Sequence, residues 1–584
     1  MIVLIFIQRK SERLCPFLEN QFMSENLSLL SARKGLTENL FEDLVRAKGE
    51  PFALKKLAEK YKIGEANLYA ASSAYDFIMG DNANKKAYLC DGSSCLCAGT
   101  QDKVKDKLLS HFSEKEIGHV TCLGRCHENA SFQMKGKNYS GKDYLALSEL
   151  INQSISSQEN YPIQCTLEKP ILTEDINDVS AYYALFSKLI IDKNKTQIIE
   201  EVIASGLRGR GGAGFPTGIK WQSCANESAT SQSGDEKYIV CNADEGDPGA
   251  FSDRYLMEQR PHSVLFGMLM AGYLAGAEWG VLYIRDEYPD SVKKIQQAIS
   301  QFKALPILPD TFKFQFKIIR GAGAYICGEE TALLRSIEGQ KPMVSVRPPF
   351  PTVKGLFGKP TIVNNVETFS AIHWILENSP QAYASLNNSA EQNGKSTGSK
   401  LLSLDSCFKK PGIYEVAMGE TLSNVIDLAG GFCKPIKALQ IGGPLGGIVP
   451  KEMFSQLTID FESFANAGFL LGHASLVGIP ESFSMPKYVQ HLFEFTAAES
   501  CGKCFPCRLG ATRGKEMFTN ALQKNDPLNR ELLFDLLETM EKGSLCALGG
   551  GVPLPVKNLL EHFGDEFESL FSRFTNQIPV LEKN

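Results

Sequence analysis

The spacing of apolar positions predicts helices and strands in alternation along most of the chain. Residues 51–60 and 66–78 repeat their apolar side chains at the intervals of amphipathic helices. Short apolar runs at 86–90 and 119–122 predict strands, and the pattern from about residue 102 to 112 predicts a helix between them. Strand, helix and strand in this order indicate a small α/β unit.

The central part of the chain predicts a larger α/β core. Between residues 180 and 400, helical patterns alternate with strand-like runs at 237–241, 280–285 and 313–319. Residues 385–400 are low in complexity and predict a loop or linker. Residues 401–475 are strand-rich and punctuated by glycine, which indicates a small β module. Helical periodicity returns after about residue 480.

Composition and charge are those of a soluble globular protein with several domains. The 584 residues are 43% hydrophobic and 22% charged, with a net charge of −6, and this length predicts about three to five domains. The acidic balance argues against non-specific nucleic-acid binding, which needs a basic face. The 16 cysteines come without a secretory signal, which indicates a reducing compartment rather than a disulfide scaffold.

The first residues are apolar but do not form a targeting or membrane segment. The apolar run at 1–7 is far shorter than the ~20 residues of a membrane span. It also lacks the basic start and the cleavage site of a signal peptide. Because Met23 opens a better helical segment, we expect residues 1–23 to be a tail or a misassigned start. No other stretch has the length and hydropathy of a membrane span.

A cysteine row near the carboxyl end predicts an iron–sulfur cluster. Cys501, Cys504 and Cys507 are each separated by two residues, and Cys546 follows 39 residues later. Three closely spaced thiolates with one remote thiolate fit a four-iron cluster. A four-cysteine zinc site is the alternative, although such sites usually show two separated pairs.

A second cysteine group lies in the small α/β unit. Cys90 with Cys95 and Cys122 with Cys126 each follow a predicted strand, and four thiolates on two loops can hold a two-iron cluster. Zinc is again the competing ligand. Cys97 lies beside the group and leaves the second ligand open, although the spacing favours Cys95. The eight histidines show no metal-type spacing and are expected to be structural.

A glycine-rich loop at 206–221 predicts a binding site for a phosphorylated ligand. Backbone N–H groups in a loop without side chains can cradle an anion, and Arg208, Arg210 and Lys220 can neutralise it. The loop contains a dinucleotide-type Gly-x-Gly-x-x-Gly pattern. The preceding segment, however, is helical, whereas a standard Rossmann motif follows a strand. A flexible surface loop is the alternative.

Three further polar clusters lie in the predicted α/β core. The acidic segment 242–249 follows a strand, where ligands bind in open α/β sheets. Segment 321–331 combines glycines, an aromatic residue and two acids, and segment 361–368 supplies paired amides that can recognise a heterocycle. Turn or capping chemistry is the alternative for each cluster alone.

Together and in this order, the motifs resemble the flavoprotein subunit of respiratory complex I. They are equally similar to its relatives, the diaphorase subunits of NAD-linked hydrogenases and formate dehydrogenases. The resemblance covers about 400 residues, from 180 to 580. Residues 24–150 resemble the thioredoxin-like two-iron subunit of the same complexes, here fused at the amino end.

The resemblance implies an α/β multidomain fold with six segments along the chain. It contains a thioredoxin-like domain, a Rossmann-like α/β domain for FMN and NAD, a β-grasp module and a C-terminal four-helix bundle. The implied segments are a tail (1–23), a helical segment (24–80), the thioredoxin-like [2Fe-2S] domain (81–160), the FMN/NADH domain (161–400), the β-grasp module (401–475) and the helical bundle with [4Fe-4S] (476–584).

The resemblance also implies the residues that hold each group. FMN would be held by Gly209, Arg210, Gly211, Gly212, Lys220, Asn242, Asp244, Glu245, Tyr325, Gly328, Glu329, Asn364 and Asn365. NADH would contact Phe215, Asp247, Glu330 and Arg347. Many relatives have lysine at Arg347, and Asp247 stands where some members have an acid that contacts the nucleotide. The [4Fe-4S] ligands would be Cys501, Cys504, Cys507 and Cys546, and the [2Fe-2S] ligands Cys90, Cys95, Cys122 and Cys126.

The implied function is that of an NAD(H)-linked diaphorase subunit. Hydride would pass between NADH and FMN, and single electrons would pass through the four-iron cluster to or from partner subunits of a hydrogenase or formate dehydrogenase. No general base is required for hydride transfer. The alternatives are the NADH-oxidising subunit of complex I, an electron-bifurcating assembly, and a regulatory nucleotide-binding module with zinc. We expect a cytoplasmic protein, at the inner face of the membrane if it belongs to complex I, with NAD favoured over NADP.

Overall fold

Three β-sheets organise the protein. The computed structural model describes residues 35–153, 159–227, 236–387 and 396–571. The predicted tail at 1–23 therefore lies outside the described residues. Within these ranges, one sheet has six strands and the other two have four strands each. No helix among the described ranges is long and apolar enough to cross a membrane.

The amino-terminal segment is helical and packs on the central sheet. Its helices are α1 (Leu40–Ala47), α2 (Pro51–Tyr61) and α3 (Glu65–Ser72). Asn39 caps α1 by accepting from the Glu42 amide, and its side-chain amide donates to the carbonyl of Ile337 at 2.8 Å. Phe41 of α1 belongs to the same buried apolar cluster as Val281 in the central sheet. The segment is thus attached to the core by both polar and apolar contacts.

The first sheet belongs to a small α/β unit. Its elements are β1 (Ala87–Cys90), α4 (Ser93–Ala98), α5 (Gln101–Leu109), β2 (Ile117–Val120), β3 (Phe132–Met134), β4 (Lys137–Tyr139) and α6 (Leu147–Ile151). β1 pairs in parallel with β2 and antiparallel with β3. The strand predicted at 119–122 ends at Val120, because Cys122 has a φ of 69°, outside the extended conformation.

The central sheet is wholly parallel, so the carboxyl ends of its strands lie at one edge. Its strands are β6 (Tyr238–Ala243), β7 (Trp279–Ile284), β8 (Gln315–Arg320) and β9 (Thr361–Asn365). Ten helices surround it in the described part of the chain: α7 (Val179–Asp192), α8 (Lys195–Ala204), α9 (Thr217–Asn226), α10 (Ser252–Gln259), α11 (Pro261–Ala275), α12 (Pro289–Lys303), α13 (Glu330–Ile337), α14 (Val366–Ser370), α15 (Ile372–Asn378) and α16 (Pro380–Ala384).

Helix α11 lies in the centre of the α/β core. Almost all of its residues are buried, as expected of a helix that is apolar on every side. Gly267 faces the backbone of α14, and a Cβ added there would lie 2.1 Å from the Phe369 carbonyl oxygen. Glycine therefore permits the close approach of α11 and α14 behind the carboxyl end of β9.

The third sheet forms the β module and draws strands from two distant parts of the sequence. Its strands are β5 (Ile163–Cys165), β10 (Ser399–Leu404), β11 (Gly412–Ala417), β12 (Ile436–Ile441), β13 (Ile448–Pro450) and β14 (Ser475–Pro480), with helices α17 (Leu422–Leu428) and α18 (Phe461–Asn466). The sheet thus extends beyond residues 401–475 at both ends. β5 pairs in parallel with β11, and the buried carboxylate of Glu415 in β11 holds the segment after β5 by accepting the backbone N–H groups of Ile171, Leu172 and Thr173.

The carboxyl-terminal region is helical. Its helices are α19 (Met485–Glu499), α20 (Phe505–Lys524), α21 (Arg530–Gly543), α22 (Ala547–Gly551) and α23 (Pro553–His562). Gly514 of α20 allows a close crossing with α19, because a Cβ there would lie 2.3 Å from the Phe493 ring. The mixed α/β multidomain fold predicted from the sequence is confirmed.

Candidate functional site

The glycine loop between α8 and α9 is a fixed turn. The Gly209 N–H donates to the Phe215 carbonyl at 2.8 Å, and residues Arg208 and Pro216 form an antiparallel bridge. Gly212 has a φ of 116°, a conformation that L side chains rarely adopt. These bonds hold the loop in one conformation and argue against the flexible-loop alternative.

The two arginines of this loop are engaged by other parts of the protein. Arg208 donates to Glu462 at 2.5 Å and lies over the Phe461 ring, 4.5 Å from its centroid. Arg210 is buried and donates through Nη2 to the Thr397 carbonyl at 2.6 Å, while its Nε and Nη1 atoms have no hydrogen-bond partner. Arg208 is therefore neutralised by an acid, whereas Arg210 keeps free donors.

Lys220 and Phe215 lie on one side of the loop. The Lys220 ammonium donates to the Val363 carbonyl at 2.9 Å and lies 3.7 Å from Glu330. Burial lowers the pKa of Lys220, and the Glu330 carboxylate opposes that shift. The Phe215 ring is 51% exposed, and the Lys220 ammonium lies 6.0 Å from its centroid. An exposed ring beside a cation fits the stacking of a heterocycle.

The acidic segment after β6 divides its roles between binding and capping. Asp244 has a buried carboxylate oxygen, Oδ2, without a hydrogen-bond partner, and burial raises its pKa well above the ordinary value. Glu245 instead uses both oxygens, which accept the Asp253 and Arg254 amides at the start of α10 at 2.9 and 3.1 Å. Asn242 donates to the Gly328 carbonyl at 2.7 Å and so joins two of the predicted clusters.

Asp247 forms a half-buried triad with two residues from other segments. Its Oδ2 lies 2.7 Å from His473 Nε2, and its Oδ1 accepts the Tyr325 hydroxyl at 2.6 Å. Burial raises the pKa of Asp247, but His473 and Tyr325 outweigh burial and lower the pKa below its usual value. The triad joins the turn after β6, the turn before β14 and the segment after β8.

Two acids and an arginine follow at the start of α13. Glu329 caps this helix, since its Oε2 accepts the Thr331 and Ala332 amides at 2.9 and 3.0 Å. Its Oε1 is buried and has no hydrogen-bond partner among the described residues, and it lies 3.7 Å from Arg347 Nη2. Arg347 donates to Glu330 at 2.7 Å. Glu330 therefore lies between two cations, Arg347 and Lys220.

The paired amides at the end of β9 face the glycine loop. Asn364 accepts the Trp221 indole N–H at 2.9 Å. Asn365 caps α14 and donates to Asp253 at 2.5 Å. A Cβ added at Gly211 would lie 3.0 Å from the Asn365 Cβ, so the loop passes directly over this strand end.

These residues fit flavin mononucleotide. The edge of the sheet holds two buried carboxylate oxygens, on Asp244 and Glu329, that have no hydrogen-bond partner among the described residues and can accept hydrogen bonds from a heterocycle. It also holds glycine backbone at 209, 211 and 212, and the half-buried cation Lys220, which suit a phosphate. The four predicted motifs thus converge on one edge of the sheet.

The carboxyl-terminal cysteines lie close to this edge. Cys504 and Cys546 occupy the N-cap positions of α20 and α22, and Cys507 lies in the first turn of α20. Cys501 and Cys546 pack against the apolar cluster that contains Phe495, whose ring centroid is 4.9 Å from that of Tyr325. The predicted four-iron site and the predicted flavin site therefore share a wall.

The amino-terminal cysteines are brought together by the small α/β unit. Cys90, Cys95, Cys122 and Cys126 are all buried, and the sulfur atoms of Cys122 and Cys126 are 3.5 Å apart. Cys97 packs instead in the apolar core of the carboxyl-terminal helices, which favours Cys95 as the second ligand. Within the described ranges, no three His, Cys, Asp or Glu side chains are arranged to hold a single metal ion.

Two residues of this region were missed by the sequence analysis. His473 was expected to be a structural histidine, and nothing in the local sequence connects it with Asp247, 226 positions earlier. Arg285 was treated as the last residue of a strand. It directly follows β7 at the carboxyl edge of the sheet, so the rule that selected segment 242–249 also selects it.

Comparison with known families identifies both halves of this region. Residues 202–374 match the model of the Nuo51 FMN-binding domain, and residues 487–570 match that of the NADH-ubiquinone oxidoreductase-F iron–sulfur binding region. The glycine loop and polar clusters fall in the first match, and the carboxyl-terminal cysteines fall in the second.

Several characterised proteins are similar to the chain over about two thirds of its length. The NADP-reducing hydrogenase subunit HndC of Solidesulfovibrio fructosivorans is 39% identical over 65% of this chain and 77% of its own. An NADH-quinone oxidoreductase F-type subunit of Rhizobium meliloti (strain 1021) is 37% identical over 66% of this chain and 91% of its own.

A solved structure is similar over nearly the whole chain. A chain of the NAD+-reducing [NiFe]-hydrogenase in the air-oxidized state matches with a TM-score of 0.80 and 27% identity, over 94% of this chain and 96% of its own. The resemblance drawn from the motifs is thereby confirmed.

Proposed function

The chain belongs to the family of flavoprotein subunits that includes the F-type subunits of NADH-quinone oxidoreductases and HndC of the NADP-reducing hydrogenase, and on that premise we propose that it is the NAD(H)-binding diaphorase subunit of a multisubunit hydrogenase. The match to the NAD+-reducing [NiFe]-hydrogenase carries the choice of complex. That match includes the amino-terminal third, whereas the curated relatives match about two thirds of the chain. Complex I remains the second candidate, because the F-type subunits are similar over the shared region.

The residues at the carboxyl edge of the central sheet would bind and orient both nucleotides. When bound, FMN converts the two electrons of a hydride into single electrons, which a cluster can accept. Gly209, Gly211 and Gly212 would offer backbone N–H groups to the phosphate, and Lys220 its charge. The oxygens of Asp244 and Glu329 that have no hydrogen-bond partner in the described part of the chain would accept hydrogen bonds from the ring system.

The remaining predicted residues would complete the flavin site or position it. Asn242, Gly328 and Tyr325 would line the ring, and Asn364 and Asn365 would hold the strand end beneath the loop. Glu245 would position this segment through its bonds to α10 rather than through the flavin. Arg210 Nε and Nη1, which have no hydrogen-bond partner among the described residues, would stabilise the glycine loop.

The NADH site would lie on the solvent side of the flavin. The exposed Phe215 ring would stack on a base or on nicotinamide, and Glu330 with Arg347 would meet ribose hydroxyls and phosphate. Asp247 would act on the nucleotide indirectly, because its two carboxylate oxygens already contact His473 and Tyr325. Positioning and exclusion of water are the tasks of the protein here, and hydride transfer needs no general base.

Electrons would leave through the clusters. We assign [4Fe-4S] to Cys501, Cys504, Cys507 and Cys546, and [2Fe-2S] to Cys90, Cys95, Cys122 and Cys126. Cys501 and Cys546 pack against the apolar cluster that contains Phe495 and that Tyr325 also contacts, which supports an exit path towards partner iron–sulfur subunits. We propose that the domains of the protein are the predicted segments 24–80, 81–160, 161–400, 401–475 and 476–584. We propose the cytoplasm as its location.

Two measurements test this function. Reconstituted protein should show flavin absorbance near 450 nm with broad cluster bands, and NADH should bleach both; a featureless spectrum would refute the assignment. The native complex should reduce NAD+ with H2. Reduction with formate alone would replace the hydrogenase by a formate dehydrogenase, and quinone reduction by NADH alone would place the chain in complex I.

A further inference from the structure

Arg285 is a buried cation between the two proposed redox sites of the amino-terminal half. Its guanidinium donates through Nη1 to the Glu245 carbonyl at 2.6 Å and through Nη2 to the Thr121 carbonyl at 3.1 Å. Glu245 follows the proposed flavin ligand Asp244, and Thr121 precedes the proposed cluster ligand Cys122. One side chain thus bonds to the backbone of both sites.

The Arg285 guanidinium forms an ion pair with the Glu287 carboxylate. Glu287 Oε1 lies 2.9 Å from Arg285 Nη2, and the two side chains are only 7% and 4% exposed. The Tyr288 ring covers the other side of the guanidinium at 5.0 Å. Because this pair is shielded from water, removing either charge leaves its partner uncompensated in a low-dielectric region.

Further contacts fix the segment 285–288 against the cysteine loop. Asn138, in β4, donates to the Glu287 carbonyl at 2.7 Å. A Cβ added at Gly124, between Cys122 and Cys126, would lie 2.8 Å from the Tyr288 hydroxyl oxygen. Tyr288 in turn donates to the Glu245 carboxylate at 3.2 Å. A cavity of about 20 Å³ lies beside Arg285, and its lining includes Thr121 and Asp244.

We propose that the Arg285–Glu287 pair is a positioning and electrostatic device that sets the reduction potential of the cluster on Cys90, Cys95, Cys122 and Cys126. This inference rests on the proposed two-iron cluster. Reduction adds one electron and hence one negative charge to the cluster, so a nearby cation favours the reduced state and a nearby anion the oxidised state. The two members of the pair therefore act with opposite sign.

The test is a redox titration of the two-iron EPR signal in the full chain, with flavin and clusters loaded. R285Q should lower the potential and E287Q should raise it, each changing the oxidised-to-reduced ratio at fixed poise by about tenfold, or about 59 mV for a one-electron couple. R285K keeps the charge and should restore most of the potential. R513Q removes the same charge from an exposed ion pair and should leave the potential unchanged.

The outcomes separate this inference from the proposed function. A wild-type protein without a two-iron EPR signal refutes the cluster assignment and the inference with it. A normal signal whose potential is the same in R285Q and E287Q leaves the cluster in place and refutes only the role of the pair. If R285Q fails to fold, E287Q and R285K still decide, because a purely structural role predicts no upward shift in E287Q.

Discussion

His473 Nε2 lies 2.7 Å from Asp247 Oδ2, although the two residues come from different modules and are 226 positions apart. Asp247 also accepts the Tyr325 hydroxyl, so one histidine orients an acid and a tyrosine of the proposed nucleotide site. A turn of the β module thereby takes part in a site built mainly on the central sheet.

Replacing His473 should weaken the nucleotide site. H473Q leaves the half-buried Asp247 without its histidine partner, which costs about 1–3 kcal/mol and so roughly 5- to 160-fold in kcat/KM for NADH. Steady-state kinetics with an artificial electron acceptor measure the effect. H562Q replaces an exposed histidine and should behave as wild type. An unchanged kcat/KM in H473Q would show that the triad does not position the site.

The same pair should make NADH oxidation sensitive to pH. Burial lowers the pKa of His473, but Asp247 outweighs burial and raises it above the ordinary value, while the pKa of Asp247 is lowered. The histidine contribution is therefore complete below about pH 6.5 and is lost as pH rises through the raised pKa. The Asp247 contribution is lost only as pH falls through its lowered pKa.

Glu245 and Lys400 also act on His473, the first raising and the second lowering its pKa. The pH profile of kcat/KM should decline on the alkaline side. In D247N the histidine loses its main partner, so the decline should move to lower pH. A decline at the same pH in D247N would contradict this origin.

Gly212 should be required for flavin retention. Its φ of 116° is strained for any L side chain, and G212A should cost about 1–3 kcal/mol in the loop that would cradle the phosphate. We expect roughly tenfold or greater loss of FMN affinity, measured by fluorescence of released flavin. G564A has open space around its Cβ and serves as the control. Equal FMN affinity in both variants would show that the loop is not part of the flavin site.

Cys95 and Cys97 should differ in their effect on the two-iron cluster. C95A should abolish its EPR signal and lower the iron content by two atoms per chain, because a two-iron cluster takes four thiolates. C97A should keep both, since Cys97 packs in the core of the carboxyl-terminal helices. The reverse result would show that Cys97, and not Cys95, is the cluster ligand. Circular dichroism of both variants establishes that each is folded.

Cys507 should be essential for the four-iron cluster. Its thiol is buried beside α22, and a Cβ at Gly549 would lie 2.5 Å from the Cys507 Cβ, so the chain is closely packed around this proposed ligand. C507S should remove four iron atoms per chain and stop electron transfer to partner subunits. The exposed Cys433 is the matched control, and C433S should retain full iron content. Full iron content in C507S would refute the assignment.

The sequence predicted the local motifs of the protein better than the contacts between residues that are distant in the chain. Motif spacing grouped the eight cysteines proposed as cluster ligands, and helical and strand periodicity predicted the α/β core, because these signals are local. The β5 strand was missed because its partner strand β11, with Glu415 opposite Cys165, lies about 250 positions later. The same holds for His473, whose meaning comes from a distant acid. Cys97 could be separated from Cys95 only when their different surroundings were visible.

The pairing of β5 with β11 also has a consequence for how the chain can be divided. The sheet of the β module is completed by residues that precede the central sheet in sequence, so the modules are interleaved rather than joined end to end. A shortened protein that begins after Cys165 would leave β11 as an open edge. Unpaired edge strands promote association between molecules. Such a truncation should therefore aggregate even though every proposed flavin ligand is retained.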